Sequence, residues 1–283
     1  MNKIGLLICG NSGIDYETVD YPYEVVHSLL IIDGKEYEDF VDIKADEFYR
    51  RIALNPDVSL STAQASTGEM LEKLTKLKND GYKDIIVITI AAPLSGTYQN
   101  AVLASQMIED VNVYVHDSTS VSYGQMAQVY RAIGLIREGK TPKEIIDDLK
   151  ELQSRIQLYV LVDTLKFLVK NGRLSATSGA IGSLLKIKPL LHFTETGQLV
   201  PLEKIRTASK ARKRLLEIAK EEVKNGIEGM FIAYTNNKDL AEELREELLT
   251  EFPGLTINLY PLTPVVGAHA GPGTAGIGVI RKK

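Results

Sequence analysis

The sequence is poor in cysteine, and it has no long apolar run. Cys9 is the single cysteine, which excludes an internal disulfide and a cysteine metal cluster. We interpret it as a buried structural thiol. No stretch approaches the roughly 20 apolar residues that cross a bilayer, and residues 1–7 do not have the pattern of an export signal. We therefore expect a cytoplasmic protein without a transmembrane segment.

A charge excess of one sign and the common motifs for metals and nucleotides are also lacking. The 33 basic and 37 acidic residues give a net charge of -4, which argues against nucleic-acid binding through bulk charge. Neither a His-x-x-x-His pair nor a phosphate-binding Gly-x-x-x-x-Gly-Lys-Ser/Thr loop is present. Residues 271–276 match a dinucleotide-binding pattern in letters only, because we expect a strand after them. We expect no metal and no cofactor, and a self-contained nucleotide enzyme is disfavoured.

The first half of the chain repeats one unit, consisting of a short apolar strand, a polar loop and an amphipathic helix. The strands are predicted at residues 4–8, 84–90 and 111–115, and the last helix of this half at residues 142–152. Ser66 and Glu69 have the spacing of a capping box. This alternation predicts a three-layer α/β/α domain with a parallel sheet.

The second half follows a different order, which we interpret as a second α/β domain. A strand near residue 158 is followed by a helix, a glycine-broken helix pair, a hairpin at residues 189–200 and two more strand and helix alternations. We place the boundary near residue 156, which gives domains 1–156 and 157–283. Because no low-complexity linker separates them, we expect a broad contact between the domains.

Several polar loops follow the strands, and they favour a ligand with an anionic end. Helix amino termini gather beyond the carboxyl ends of parallel strands and offer free N–H groups. Ser95 lies at such a transition, where its hydroxyl can cap a helix or bind a ligand oxygen. Thr62 has the same two interpretations. Gly96 has no side chain and would let a ligand approach the backbone.

Of the four histidines, His269 has the setting most typical of a ligand-binding residue. It lies among Gly267, Gly271 and Gly273 in a predicted loop. The other three lie in or beside apolar strands, where a structural role is expected.

A basic cluster surrounds the start of the helix predicted after residue 206. Cations at a helix amino terminus oppose the macrodipole, so we do not assign this cluster to helix stability. It is either a solvated face or a docking surface for an acidic or phosphate-bearing partner. Its members are Lys204, Arg206, Lys210, Arg212, Lys213 and Arg214.

Spaced motifs along almost the whole chain resemble those of the DegV family, whose members include the fatty-acid-binding subunits of bacterial fatty-acid kinases. The segment 90–101, containing Leu94-Ser95-Gly96-Thr97-Tyr98, is similar to the family's Leu-Ser-Gly-Thr-Tyr segment. Residues 116–118 resemble its Asp-Ser strand end, and residues 165–175 with 182–189 resemble the signature of its second domain. Residues 267–273 are similar to its Gly-x-His-x-Gly-Pro-Gly loop.

The resemblance implies a fatty-acid carboxylate bound between the domains by Thr62, Ser95 and His269, with the acyl chain in the apolar second domain. It further implies that Arg173 and Arg206 lie near the head group or a partner surface. The implied partner is a separate ATP-dependent kinase that phosphorylates the carboxylate for phospholipid synthesis. Transient contact with a membrane surface is compatible with this role.

Two segments depart from the family pattern. Thr62-Ala63-Gln64-Ala65-Ser66 stands where the family has Thr-Ser-Gln-Pro-Ser, and Gly10-Asn11-Ser12 stands where it has Thr-Asp-Ser. Ser61 and Gln64 are the candidates to replace the lost polar contact. Acyl length, unsaturation and oligomeric state are not determined by the sequence.

Two alternatives remain open from the residues alone. In the first, Ser95 is a nucleophile and His269 its base in an acyl hydrolase or transferase, although no Gly-x-Ser-x-Gly elbow surrounds Ser95. In the second, the chain carries or senses another anionic lipid or a small metabolite. The apolar stretch 180–185 does not favour a sugar phosphate as that metabolite.

Overall fold

The computed structural model describes residues 3–55, 58–174 and 188–283. The predicted glycine-broken helix pair and the apolar stretch 180–185 lie outside the described residues.

The strands alternate with helices along the chain. In chain order the strands are β1 (Ile4–Cys9), β2 (Glu24–Val26), β3 (Leu29–Ile32), β4 (Lys35–Glu38), β5 (Leu60–Ala63), β6 (Asp84–Thr89), β7 (Asn112–Asp117), β8 (Ile156–Leu161), β9 (Leu190–Phe193), β10 (Leu199–Glu203), β11 (Ile227–Tyr234), β12 (Ile257–Pro261) and β13 (Ala275–Arg281). The helices are α1 (Ala45–Leu54), α2 (Thr67–Asn79), α3 (Thr97–Met107), α4 (Tyr123–Arg137), α5 (Pro142–Arg155), α6 (Lys166–Lys170), α7 (Ala208–Asn225), α8 (Lys238–Glu251) and α9 (Pro264–Ala270).

The first sheet is parallel and has the strand order β2-β1-β6-β7. Its central strands are apolar at nearly every position because helices cover both faces. Helices α4 and α5 pack on one face, and α2 and α3 pack on the other. This arrangement confirms the predicted three-layer fold, and Ser66 and Glu69 form the predicted capping box at the start of α2.

A small antiparallel sheet of β4-β3-β5 was not predicted. Thr62 lies within β5 and pairs with Leu30 of β3, so the prediction of a Thr62 loop was wrong. The polar run from Ser59 onward reads as a loop because β5 is only four residues long. Its pairing with the apolar β3 determines its strand conformation.

The second large sheet is mixed and has the order β10-β9-β8-β13-β11-β12. One face packs against α7 and α8, and the other face is turned toward Leu94, Val121 and Tyr123 of the first half. β8, the first strand of this sheet along the chain, begins at Ile156. The domain boundary near that residue remains a prediction. The fold is thus α/β with two sheet-centred halves, as expected.

His269 lies on helix α9, so the prediction of a His269 loop was also wrong. Pro264 occupies the first turn of α9, where its missing N–H costs nothing. Gly271 ends the helix with a φ of 81°. The glycine density that indicates a loop therefore belongs to the end of a short helix and to the turn before β13.

Candidate functional site

A cavity of about 380 Å³ lies between the two halves of the molecule. Its lining is largely aliphatic and aromatic, with polar side chains gathered where β5, α9 and the loop before α3 meet. The volume falls in the lower part of the range of ~300–1,000 Å³ typical of small-molecule sites. The cavity suits a ligand that is apolar over most of its length and polar at one end.

Thr62 and His269 meet at the polar end of the cavity. The Oγ1 atom of Thr62 on β5 lies 2.8 Å from Nε2 of His269 on α9. With the imidazole proton on Nε2, His269 donates to Thr62, and the hydroxyl hydrogen of Thr62 is free for a ligand oxygen. The structure therefore brings together two of the predicted site residues, 207 positions apart.

Burial, with a smaller contribution from the positive charge of Arg173, lowers the pKa of His269 to about 4. The imidazole is consequently neutral near pH 7 and has one donor and one acceptor nitrogen. Its Nδ1 atom is buried and has no hydrogen-bond partner within the described part of the chain. A neutral imidazole can support the Thr62 hydroxyl without adding a second positive charge beside Arg173.

Ser95 lines the same cavity, but it is not the N-cap of α3. That position belongs to Gly96, while Oγ of Ser95 lies 2.8 Å from the hydroxyl of Thr97 and accepts from the Thr97 N–H. The imidazole of His269 is bonded to Thr62 and not to Ser95. The arrangement therefore lacks the nucleophile–base hydrogen bond that an acyl hydrolase would use.

The sequence suggests that Gly96 lets a ligand approach the backbone, whereas in the structure the space beside Gly96 is taken by Gln64. A Cβ atom at this position would lie 2.5 Å from Oε1 of Gln64. The missing side chain lets the Gln64 carboxamide approach the backbone at the start of α3. Ser61 and Gln64 are both exposed, but only Gln64 is among the residues that line the cavity.

The two predicted arginines occupy different surroundings. Arg173 lines the cavity, and its guanidinium donates to the carbonyls of Leu94 (3.1 Å) and Asn171. These bonds fix its orientation beside His269. Arg206 is exposed in the connection between β10 and α7 and does not line the cavity.

The sequence analysis did not assign Ser28, Ser122 or Thr274 to the cavity wall, and it named Asn11 only as a departure from the family pattern. Asn11 lies two residues after the end of β1, so its position after a strand was the available signal. Ser122 precedes α4 with a φ of 54°, and its N–H donates to the carbonyl of Asn11. This strained conformation cannot be recognised from a serine in a polar run.

Asp39 holds the amino terminus of the helix that carries His269. It is 1% exposed, and its Oδ1 accepts from the N–H of Val265 at 3.2 Å. Burial raises the pKa of Asp39 to about 7, against the lowering effect of hydrogen bonds from Thr263 and Val265. No sequence motif marked this residue.

Three of the six residues of the basic cluster, Arg212, Lys213 and Arg214, make ion pairs within the fold. Arg212 pairs with Glu243 and Glu247 of α8, and Arg214 pairs with Glu203, Glu217 and Glu221. The expectation that the cluster does not serve helix stability was wrong for Arg214, because Glu217 and Glu221 lie on the same helix. Among the described residues, Lys204, Arg206 and Lys210 make no ion pair and remain available to a partner.

The remaining histidines have the structural settings that were expected. His116 is buried, with Nε2 2.6 Å from the side chain of Gln128, and His27 pairs with Asp15 and Glu38. Within residues 3–55, 58–174 and 188–283, no cluster of three or more His, Cys, Asp or Glu side chains could hold a metal ion. No described helix is long and apolar enough to cross a membrane.

Comparison with known proteins gives one consistent result. A family model described as "Uncharacterised protein, DegV family COG1307" matches residues 15–282. A DegV domain-containing protein of Staphylococcus aureus (strain N315) is 34% identical over 290 residues, which cover 99% of this chain and 98% of that protein. A fatty-acid-binding DegV family protein from Streptococcus agalactiae has a similar structure, with a TM-score of 0.90, 30% identity and 100% coverage of both chains. DegV from Bacillus subtilis, described as a fatty acid binding protein, gives a TM-score of 0.88 at 27% identity, again with 100% coverage of both chains.

Proposed function

The chain belongs to the DegV family, and from this premise we propose that it binds a long-chain fatty acid in the cavity between its two halves. Thr62, Ser95 and His269 hold the carboxylate, and the apolar walls enclose the acyl chain. The observation that carries the proposal is the cavity itself, which is largely apolar and has hydroxyl groups beside a neutral imidazole at one end.

The chemistry of the polar end fits a carboxylate. Hydroxyl groups and the N–H groups at the start of α3 donate to an anion, and the fixed guanidinium of Arg173 adds a positive charge nearby. Burying a carboxylate without such donors would cost several kcal/mol. Gln64 adds a carboxamide that can donate from the same edge of the cavity.

The apolar walls supply most of the binding free energy. Each buried methylene contributes about 0.8 kcal/mol, and a part of that gain is offset by the loss of chain and ligand freedom. Affinity therefore depends mainly on the chain, while the head-group contacts select the orientation and the class of ligand.

Denaturing extraction followed by mass spectrometry tests this proposal on the purified protein. We expect a fatty acid in near-stoichiometric amount. A polar metabolite, or no acyl compound even after incubation with fatty acids, would contradict the proposal and favour a carrier of another small anion. Incubation with acyl esters gives an independent measurement, for which no turnover is expected.

We further propose that the bound carboxylate is presented to a separate ATP-dependent kinase. In that step a carboxylate oxygen attacks the γ-phosphorus of ATP, a new P–O bond forms, the bond to the β-phosphate oxygen breaks, and ADP leaves. Thr62, Ser95 and His269 are only half-buried, so the head-group end lies within reach of a partner. Arg206, with Lys204 and Lys210, offers an exposed basic surface for that partner.

Acyl-phosphate formation with a purified bacterial fatty-acid kinase subunit, ATP and the fatty-acid-loaded protein tests the presentation step. We expect Arg206→Gln to retain its fatty acid and to lose most of the product formed by the unaltered protein. Lys238→Gln, a charge-neutralising change on exposed α8, is the matched control and should leave product formation unchanged. Equal product from the Arg206 variant would contradict docking at this surface.

A further inference from the structure

Three neighbouring strands of the mixed sheet, β8, β13 and β11, present two rows of residues to the cavity, and the rows differ in the size of their side chains. β13 lies between β8 and β11, and in the first row Gly276 pairs with Val160 on one side and Ala233 on the other. All three residues line the cavity. Glycine and alanine extend little above the sheet, so this row is low over β13 and β11. Val160 on β8 is its only larger side chain.

In the second row, the residue on β11 carries a large side chain that rises above the sheet. Gly278 pairs with Leu158 of β8 and with Phe231 of β11, and these residues also line the cavity. A Cβ atom on Gly278 would lie only 1.9 Å from Cζ of Phe231. The Phe231 ring therefore leans across β13 and fills the space that a side chain at position 278 would need.

The two glycines consequently have opposite roles. The nearest atoms to a Cβ atom on Gly276 would be the Tyr159 carbonyl oxygen at 3.3 Å, a close contact, and Cγ2 of Val160 at 3.7 Å. No aromatic ring covers Gly276 in this way, so this part of the floor is free for a ligand. Glycine within a strand often marks such a close approach.

Aromatic packing behind Phe231 holds its ring in place. Phe231 is 2% exposed and lies 4.7 Å from the ring of Tyr123, which stacks on Tyr260 at 4.3 Å. A ligand that pushes on Phe231 would have to displace this stack. The ring is thus a firm wall, unlike a flexible aliphatic side chain at the same place.

The rows lie in a fixed order from the head-group end. Helix α9, which carries His269, leads through Gly271 and Thr274 directly into β13, and Thr274 also lines the cavity. Alternate residues of a strand are about 6.8 Å apart, so the row of Gly278 lies one such step farther from the carboxylate than that of Gly276. In the next row, Ile156 and Ile280 are not among the described lining residues.

We propose that Phe231, seated on Gly278, is the stop that limits the length of the acyl chain. The low row at Gly276 is the floor over which the chain passes, and the ring of Phe231 ends its path. This inference rests on the proposed fatty-acid binding and adds to it a specificity-determining residue. An extra methylene in a closed apolar pocket typically changes selection by about 10-fold or more.

The test is a competition in which delipidated protein is incubated with an equimolar mixture of saturated fatty acids from lauric to arachidic acid. The bound acids are then extracted and quantified by mass spectrometry. For Phe231→Ala we expect the ratio of the longest to the preferred acid to rise by about 10-fold or more. Phe231→Leu, a milder change in the same direction, replaces it if the alanine variant does not fold.

Gly276→Ala should shift the profile toward shorter acids, because the added methyl group enters the floor of the cavity, where only a small shift of the Tyr159 carbonyl is needed to accept it. Phe193→Ala is the matched control, since Phe193 lines the same cavity from β9 and lies beside Leu158, on the side of the second row away from Phe231. A shift with the Phe231 variants and not with Phe193→Ala supports the stop. Equal shifts for both phenylalanines, or unchanged profiles for the Phe231 and Gly276 variants, overturn it. If the unaltered protein takes up no fatty acid, the proposed function itself fails.

Discussion

Neighbouring residues of β5 point to opposite sides of the strand. Thr62 faces the cavity and bonds to His269, and Ser61 is exposed. The choice of face decides which hydroxyl can meet a ligand, and the two residues are otherwise chemically alike.

Thr62→Val removes the hydroxyl and keeps the shape of the side chain. We expect fatty-acid affinity to fall about 10- to 100-fold, since a lost buried hydrogen-bonding group costs ~1–3 kcal/mol. Ser61→Ala should change affinity by less than a few-fold. Displacement of a fluorescent fatty acid measures both variants, and a larger loss with Ser61→Ala would show that the other face of β5 binds the head group.

Asp39 is the residue whose protonation should couple most directly to the stability of the site. Its folded-state pKa of about 7 lies above the ordinary value of 3.8, so between these values the folded state binds more protons than the unfolded state. The stabilising contribution of the protonated group is complete below about pH 4 and is lost as the pH rises through 7. The difference between these two pKa values corresponds to at most about 4 kcal/mol in the free energy of unfolding.

Asp39→Asn keeps an acceptor for the Val265 N–H and removes the titration. We expect the stability advantage of the variant over the unaltered protein to be largest at pH 8 and clearly smaller at pH 5, as measured by chemical denaturation at both values. Asp147→Asn, an exposed change on α5, should show no such pH-dependent difference. A stability difference between the Asp39 variant and the unaltered protein that does not vary with pH would contradict the assignment.

At the scale of elements, helix α9 is positioned by contact with α1. Tyr49 of α1 donates to the Leu262 carbonyl, and a Cβ atom on Gly267 would lie 2.1 Å from the Tyr49 hydroxyl oxygen. Gly267 therefore lets α9 lie directly against Tyr49, and this contact sets the position of His269 two residues later.

Gly267→Ala should destabilise the protein and weaken fatty-acid binding, although alanine is the better helix former. Gly134→Ala in α4 is the same change at a helical position where a Cβ atom meets nothing within 4 Å, and it should stabilise by about 0.5–1 kcal/mol. Thermal denaturation compares the two variants. Stabilisation by both would show that the contact between α1 and α9 tolerates an added methyl group.

At the scale of the whole molecule, the cavity is walled by both halves, so a ligand that fills it contacts both sheets. Anything that binds only the folded state stabilises it in proportion to the logarithm of its free concentration relative to Kd. Delipidation should therefore lower Tm, and adding fatty acid to about 100 times Kd should restore about 2.7 kcal/mol. Calorimetry of delipidated and reloaded protein measures the effect, and identical Tm values would contradict binding in the cavity.

The repeating strands and helices could be predicted from the sequence, because their physical causes are local. The apolar runs of β1 and β6 and the capping box of α2 depend on neighbouring residues. The predicted helix at 142–152 appears as α5, three residues longer at its end. The spaced motifs also indicated the family, and the resemblance to it implied that Thr62, Ser95 and His269 belong to the head-group site.

Only the tertiary structure decided how these residues are held and what else surrounds them. β5 is a strand because β3 pairs with it, Asp39 caps α9 from 226 positions away, and Phe231 covers Gly278 because β11 and β13 are in register. These are long-range contacts, and no local periodicity encodes them. The sequence by itself therefore determined the repeating strands and helices and the chemical types at the site, whereas packing between distant segments determined the small sheet that contains Thr62 and the depth, polarity and length of the cavity.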